Sequence, residues 1–332
     1  MTSPRRIVLF GECMIELRGQ VFGAMQQGFG GDTLNTAIYL ARLCRDQDIR
    51  VSYATALGID VFSDHMIAAW QAEGIDTSLV SLLANHLPGL YAIQVDPSGE
   101  RHFFYWRDTS TARDYFEAPS TPLEDTTSEV SAFYFSGISL AILPPQGRER
   151  LLAIAGRVRA EGGLVAFDNN FRPRLWPNLI EARALYDRAY ALSDLVLITL
   201  DDEMALRGET AVDRALAAVL ALGVPEVVVK RGVQPTLVRI AGTPPVAVPV
   251  EDVPRVVDTT AAGDSFAGAY LAMRLTGIPP ATAARAANRM AGVVVQHPGA
   301  IIPAEVMPTR TALLSTAATP PVQADPPEED EQ

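Results

Sequence analysis

The sequence predicts an α/β fold, a mainly parallel central sheet flanked by helices, with a small β-sheet lid. Short, nearly all-apolar runs recur along the chain, and amphipathic helical runs separate them. Strands without a polar side are those buried on both faces, as in a parallel sheet covered by crossover helices. Two segments interrupt this rhythm with glycines and period-two alternation, the pattern of hairpins outside the main sheet.

In chain order, Ile7 to Phe10 is a first buried strand. Arg5 and Arg6 precede it, but Glu12 and Glu16 follow too soon for a secretory segment, so a cytoplasmic location is expected. Glu16 to Gly30, with several glycines, is the first piece of the lid. A helix over Thr33 to Leu43, a strand over Arg50 to Thr55 and a helix over Asp64 to Glu73 follow. Gly89 to Phe116 is the second lid piece. It pairs the alternating Leu90 to Val95 with His102 to Trp106 across a turn at Pro97 to Glu100. The alternation then resumes with a helix over Gln146 to Glu161, strands at Leu164 to Phe167 and Leu195 to Ile198, a helix over Ala211 to Leu222 and a strand at Val227 to Val229. Residues 1–310 read as one domain. Residues 311–332 read as an acidic, Pro-rich tail that buries too little apolar surface to order itself. The apolar side of the lid needs cover, from substrate, from the main domain or from a second subunit in a homodimer through the lid.

Composition removes several functions. With 332 residues, 48% hydrophobic, the chain can build a large core. A net charge of -12 lacks the basic footprint that nucleic acid requires. No apolar run is long enough to span a membrane. Cys13 and Cys44 are isolated, and His65, His86, His102 and His297 lack ligand spacing, so neither a disulfide scaffold nor a zinc site is expected. No Gly-x-Gly-x-x-Gly follows a strand, which argues against a nicotinamide-dependent dehydrogenase. Lys230 is the only lysine and no Gly-Lys pair exists, so any use of ATP must do without a P-loop.

The stretch richest in chemistry is Asp258-Thr259-Thr260-Ala261-Ala262-Gly263-Asp264-Ser265-Phe266, which leads into an apolar helix. Small residues let a phosphate approach the backbone, and the free N–H groups of a helix start, aided by its dipole, bind anions. Asp264 falls in the first turn, where a carboxylate can take a proton from an attacking hydroxyl. An ordinary helix start, with Asp264 merely favouring the dipole, would account for the same residues.

This stretch resembles the C-terminal signature of the phosphofructokinase-B-type sugar kinases of the ribokinase superfamily. Gly30-Gly31-Asp32-Thr33-Leu34-Asn35 resembles their N-terminal glycine motif, and the likeness covers roughly residues 5–310. The resemblance implies a ribokinase-like fold and ATP-dependent phosphorylation of a sugar with Mg2+. Within the superfamily, Gly11 to Leu17, Gly89-Leu90-Tyr91, Phe104 to Arg107, Asp168 to Trp176 and Gln296 to Pro303 look most like the kinases of 2-keto-3-deoxygluconate. Kinases of fructose, ribose or 5-keto-2-deoxygluconate, and a non-catalytic sugar-binding regulator on the same fold, are the alternatives.

Roles follow from the resemblance. Asp264 would be the base, and Ala261, Ala262 and Gly263 would supply anion-hole N–H groups. Gly31, Asp32 and Asn35 would hold sugar hydroxyls, with Tyr91, Tyr105, Arg107 and Arg172 lining the rest of the sugar pocket. Arginine suits an acid sugar on its own chemistry, because its planar fork pairs with carboxylates; a surface or structural ion-pair role is the alternative for both, weakened for Arg172 by its place just beyond the strand Leu164 to Phe167, where ligands are expected. Asn170, Arg172, Thr199, Lys230, Arg231, Gly232, Ala262, Gly263 and Asn288 would contact ATP. For magnesium, Thr199 stands where many relatives carry Asn, and Asp202 or Glu203 would be the acidic partner.

Overall fold

A computed structural model describes residues 4–95 and 101–315. The strands are β1 (Arg5–Phe10), β2 (Met14–Gly19), β3 (Met25–Gly30), β4 (Ile49–Gly58), β5 (Val80–Leu83), β6 (Leu90–Val95), β7 (Arg101–Trp106), β8 (Val130–Ser136), β9 (Leu164–Asp168), β10 (Leu195–Thr199), β11 (Glu226–Arg231), β12 (Gln234–Ile240) and β13 (Val246–Val248). Between and after them run α1 (Asp32–Leu43), α2 (Val61–Ala72), α3 (Pro122–Asp125), α4 (Gly137–Ile142), α5 (Pro145–Ala160), α6 (Leu179–Leu192), α7 (Leu200–Arg207), α8 (Val212–Leu220), α9 (Ala262–Leu275), α10 (Pro280–Val294) and α11 (Arg310–Leu314).

Among the described residues the main sheet has the order β13-β12-β11-β10-β9-β8-β1-β4-β5. Every pairing from β11 to β5 is parallel, and only the β12 and β13 edge is antiparallel. The apolar strands explain the layers. Ile7 and Leu9 of β1 enter one core with α1, α2, α9 and α10, while Val8 and Phe10 enter a second with α4, α5, α6 and α8. Alternate side chains of one strand thus bury against opposite helical layers. Gly268 lets α9 lie close on α1, since a Cβ there would meet the Thr36 carbonyl at 2.7 Å.

The lid is a separate sheet in the order β3-β2-β6-β7. It consists of two hairpins, β2–β3 and β6–β7, joined by a parallel β2–β6 pair. The expected turn at Pro97 to Glu100 lies outside the described residues. At the other end the packed chain passes the boundary of 310 expected from sequence. Leu313 of α11 is buried, and Arg289 donates to the carbonyls of Leu313 and Ser315. The tail from 316 onward lies outside the described residues. No described helix is long and apolar enough to cross a membrane.

Candidate active site

The carboxyl ends of the parallel strands open into a cleft of about 1590 Å³ beneath the lid. The ends of β1, β9, β10 and β11 and the N-termini of α1 and α9 meet there, the place where open α/β sheets bind ligands. Gly31 precedes α1 in extended backbone, and a Cβ on it would approach the Glu12 carbonyl to 2.0 Å. Only glycine lets these two chain segments touch.

Asp264 is the third residue of α9 and lines the cleft. Its Oδ2 accepts from Asn35 Nδ2 at 2.8 Å. Burial, then the nearby charge of Asp32, pushes its pKa up to about 7, against the opposing pull of Asn35 and Lys230. Burial also raises the Asp32 pKa, although Ser136 Oγ and Asn170 Nδ2 both donate to its Oδ2, at 2.6 and 2.7 Å. The charge of Asp32, in the first turn of α1, thus makes Asp264, in the first turn of α9, harder to ionise.

The loop before α9 is fixed from outside the cleft. Asp258 accepts from the Thr260 N–H through Oδ1 and from the Gly299 N–H through Oδ2, each at 2.7 Å. Ala261 then enters the left-handed region at φ 58°, a conformation that non-glycine residues adopt only when their surroundings hold it. Ala262 donates its N–H to the Thr259 carbonyl at 3.3 Å, so of the expected donors it is engaged within the loop. Gly263 is the second residue of the helix, where an N–H has no intrahelical acceptor, and it lines the cleft.

Further expected residues assemble around this centre. Asn170 follows β9 at φ 21°, with its N–H on Asp168 Oδ1. Lys230 Nζ donates to Asp168 Oδ2 at 2.8 Å, and both groups are nearly buried. Thr199 starts α7 and lines the cleft, held through its backbone by Asn169. Asp202 lines it too and pairs with Arg172 at 3.2 Å; burial raises its pKa against the pull of Arg172 and Lys230. On the lid side, the Tyr91 hydroxyl donates to Glu16 at 2.5 Å. Tyr105 is half exposed, with the Arg107 guanidinium 5.6 Å from its ring centre. Arg107 reaches from the end of β7 to the buried carboxylate of Glu12, just past β1.

Four expected residues stand elsewhere. Glu203 turns away from the cleft into contacts with Tyr190 and Arg207, because neighbours on a helix face different directions. Asn288 is buried between α10 and the sheet edge, accepting from Thr236 and donating to the Pro249 carbonyl. Arg231 donates to the Pro235 carbonyl within the β11–β12 hairpin, and Gly232 forms its turn at φ 61°. None of the four lines the cleft. Conversely Glu12, Asp168 and Arg174 line it without having been assigned a role from sequence. Their motifs were visible, but their partners lie 95 and 62 residues away for Glu12 and Asp168.

A model of the pfkB family carbohydrate kinases matches residues 4–307. The chain belongs to this family. It is 48% identical over 312 residues to the 2-dehydro-3-deoxygluconokinase of Dickeya dadantii, covering 92% of this chain and 99% of that protein. To the enzyme of that name from Escherichia coli it is 47% identical over 308 residues, with the same coverage. A fructokinase of Xylella fastidiosa solved with bound ATP shares the fold, with a TM-score of 0.79 at 22% identity, over 94% of this chain and 97% of that one. The ribokinase-like architecture expected from the two glycine motifs is thus the one observed, and this pfkB-family chain is a carbohydrate kinase.

Proposed function

We propose that this carbohydrate kinase transfers the γ-phosphoryl group of ATP to the terminal hydroxyl of 2-keto-3-deoxygluconate (2-dehydro-3-deoxygluconate), giving the 6-phosphate and ADP. The observation that carries the chemistry is Asp264 at the start of α9, held by Asn35 and with a pKa near neutrality. A base is most useful when its pKa lies near the working pH. The substrate reading is supported by near-full-length identity to two kinases of that sugar acid.

Asp264 accepts the hydroxyl proton as the oxygen attacks phosphorus. The Gly263 N–H and the helix dipole stabilise charge on the transferring group. Asn35 orients the carboxylate. Asp32, held by Ser136 and Asn170, is placed to accept from sugar hydroxyls. Tyr91 and Tyr105 of the lid cover the sugar and help exclude water, which suppresses ATP hydrolysis. Lys230 brings a positive charge to the nucleotide side of the cleft.

Magnesium prefers carboxylate, phosphate and water oxygens. The cleft fits that preference, for Asp202 and Asp168 line it and, among the described residues, no histidine or cysteine does. Asp202 and Asp168 would hold the ion near the phosphates, where it neutralises their charge. With ATP as co-substrate the enzyme would work in the cytoplasm. Exposed Phe22, Met25, Phe104 and Trp106 on the lid favour a second copy as its cover, which sedimentation of the intact protein would test.

An ADP-release assay with Mg-ATP and a panel of 2-keto-3-deoxygluconate, fructose, ribose and gluconate tests the substrate. Turnover of the keto-deoxy acid well above the others is the expected result. Preference for a neutral sugar would keep the kinase and overturn the substrate.

A further inference from the structure

Glu12 lies between β1 of the main sheet and β2 of the lid, and its side chain is 1% exposed. Close packing fixes it there. A Cβ on Gly31 would meet its carbonyl oxygen at 2.0 Å, and one on Gly89, just before β6, would come within 3.2 Å of its Oε1. A carboxylate buried this far needs an opposite charge beside it. That charge is Arg107, just past the end of β7 of the lid.

The pair is only half made. One terminal nitrogen of Arg107 donates to Glu12 Oε2, while Glu12 Oε1 and Arg107 Nε are both buried without a hydrogen-bond partner among the described residues. These two atoms are the acceptor and the donor that a two-point arginine–carboxylate fork requires. Buried polar atoms without partners are uncommon, so a pair of them in one contact calls for a cause. Arg107 also lines the cleft, with its guanidinium 5.6 Å from the ring centre of Tyr105, which lines it too. A guanidinium carries five N–H donors, and a fork to one carboxylate uses two of them. The remainder stay available to a ligand. An arginine side chain has many rotamers, and a fixed carboxylate behind it selects those that hold the guanidinium at the cleft wall.

We infer that Glu12 is a positioning residue for the sugar acid: it holds the Arg107 guanidinium at the lid side of the cleft, and its free oxygen takes the second arm of the fork as the lid settles on the substrate. Glu12 acts through Arg107 and does not touch the sugar. The inference rests on the substrate reading above and on Arg107 as a contact of the sugar acid. A purely structural Glu12, supporting the approach of β1 to Gly31, is the competing account, and steady-state kinetics separates the two. The intact enzyme, Glu12→Gln, Glu12→Ala, Arg107→Gln and the double variant Glu12→Gln with Arg107→Gln are compared, with 2-keto-3-deoxygluconate and ATP varied in turn. In Glu12→Gln, which keeps one acceptor but cannot form the fork, the KM for the sugar acid rises about fivefold or more, while the KM for ATP and kcat change by less than about twofold. Glu12→Ala raises it further. In the Arg107→Gln background the same Glu12→Gln change adds less than about twofold, because the group it positions is gone. An unchanged KM for the sugar acid in Glu12→Gln overturns the inference, and so does a rise by the same factor in both backgrounds. Should Arg107→Gln, which strands a buried carboxylate, fail to fold, the split between the two KM values in Glu12→Gln still decides, and equal rises overturn the inference. Failure of the unaltered enzyme to use the sugar acid is a separately visible result that removes the substrate reading instead.

Discussion

Asn35 donates to the Asp264 carboxylate at 2.8 Å, tying the first turn of α1 to that of α9 across 229 residues of sequence. The two glycine-bearing motifs therefore form one site. Their contact also holds down the pKa of the base, against burial and the charge of Asp32.

Removing that hydrogen bond should move the pH dependence. In Asn35→Ala the carboxylate loses a donor to its charged form, so its pKa climbs further above about 7. The kcat/KM profile rises with pH in both proteins as Asp264 loses its proton. Its midpoint should lie at higher pH in the variant, with lower activity at neutrality. A pH–rate series over the range 5.5 to 9 on both proteins checks this, and an unmoved midpoint would count against Asp264 as the titrating base.

The same raised pKa has a cost in stability. A carboxyl whose folded pKa exceeds its unfolded value contributes stability that is full at low pH and is lost as pH rises through the folded value. For Asp264 that window runs from near 4 to about 7. Asp264→Asn should therefore be more stable than the parent above pH 7, by about 1–2 kcal/mol after solvent screening, and show little gain near pH 4. Thermal unfolding at the two pH values reads the difference.

Lys230 and Asp168 form a nearly buried pair, with side chains 12% and 6% exposed. Lys230→Met strands a carboxylate and should cost about 3 kcal/mol, whereas adding Asp168→Asn should recover much of it. Denaturant unfolding of the single and double variants checks the sign of that coupling.

Gly31 is sensitive for a reason separate from backbone freedom, since its φ of -178° suits any residue. In Gly31→Ala the new Cβ has only 2.0 Å to the Glu12 carbonyl, so β1 and α1 must move apart. A loss of about 1–3 kcal/mol and a higher KM for the sugar are expected from unfolding and kinetic measurements on that variant.

Much of this was legible in the sequence because buried parallel strands and anion-binding helix starts leave local marks. Leu164 to Phe167 and Leu195 to Ile198 are strands on apolarity alone, and Asp264 lies in the helical turn its motif implied. What depended on orientation or distant partners was hidden. Asp202 and Glu203 are adjacent, and only the packed helix decides that Asp202 meets the cleft while Glu203 meets Arg207. Asn288 is as polar as Asn35, but Thr236 and Pro249 claim it. Arg107 lines the cleft from the end of its strand, and its pairing with Glu12, 95 residues away, left no local mark.

The most direct test is to incubate the enzyme and Asp264→Asn with Mg-ATP and 2-keto-3-deoxygluconate and to follow the product by phosphorus NMR. The enzyme should form a 6-phosphate monoester in step with ADP. Asp264→Asn should still bind the sugar acid but form product about a thousandfold more slowly. Phosphate appearing elsewhere on the sugar, or an Asp264→Asn rate within a few-fold of the parent, would contradict the assignment of the base and of the hydroxyl it activates.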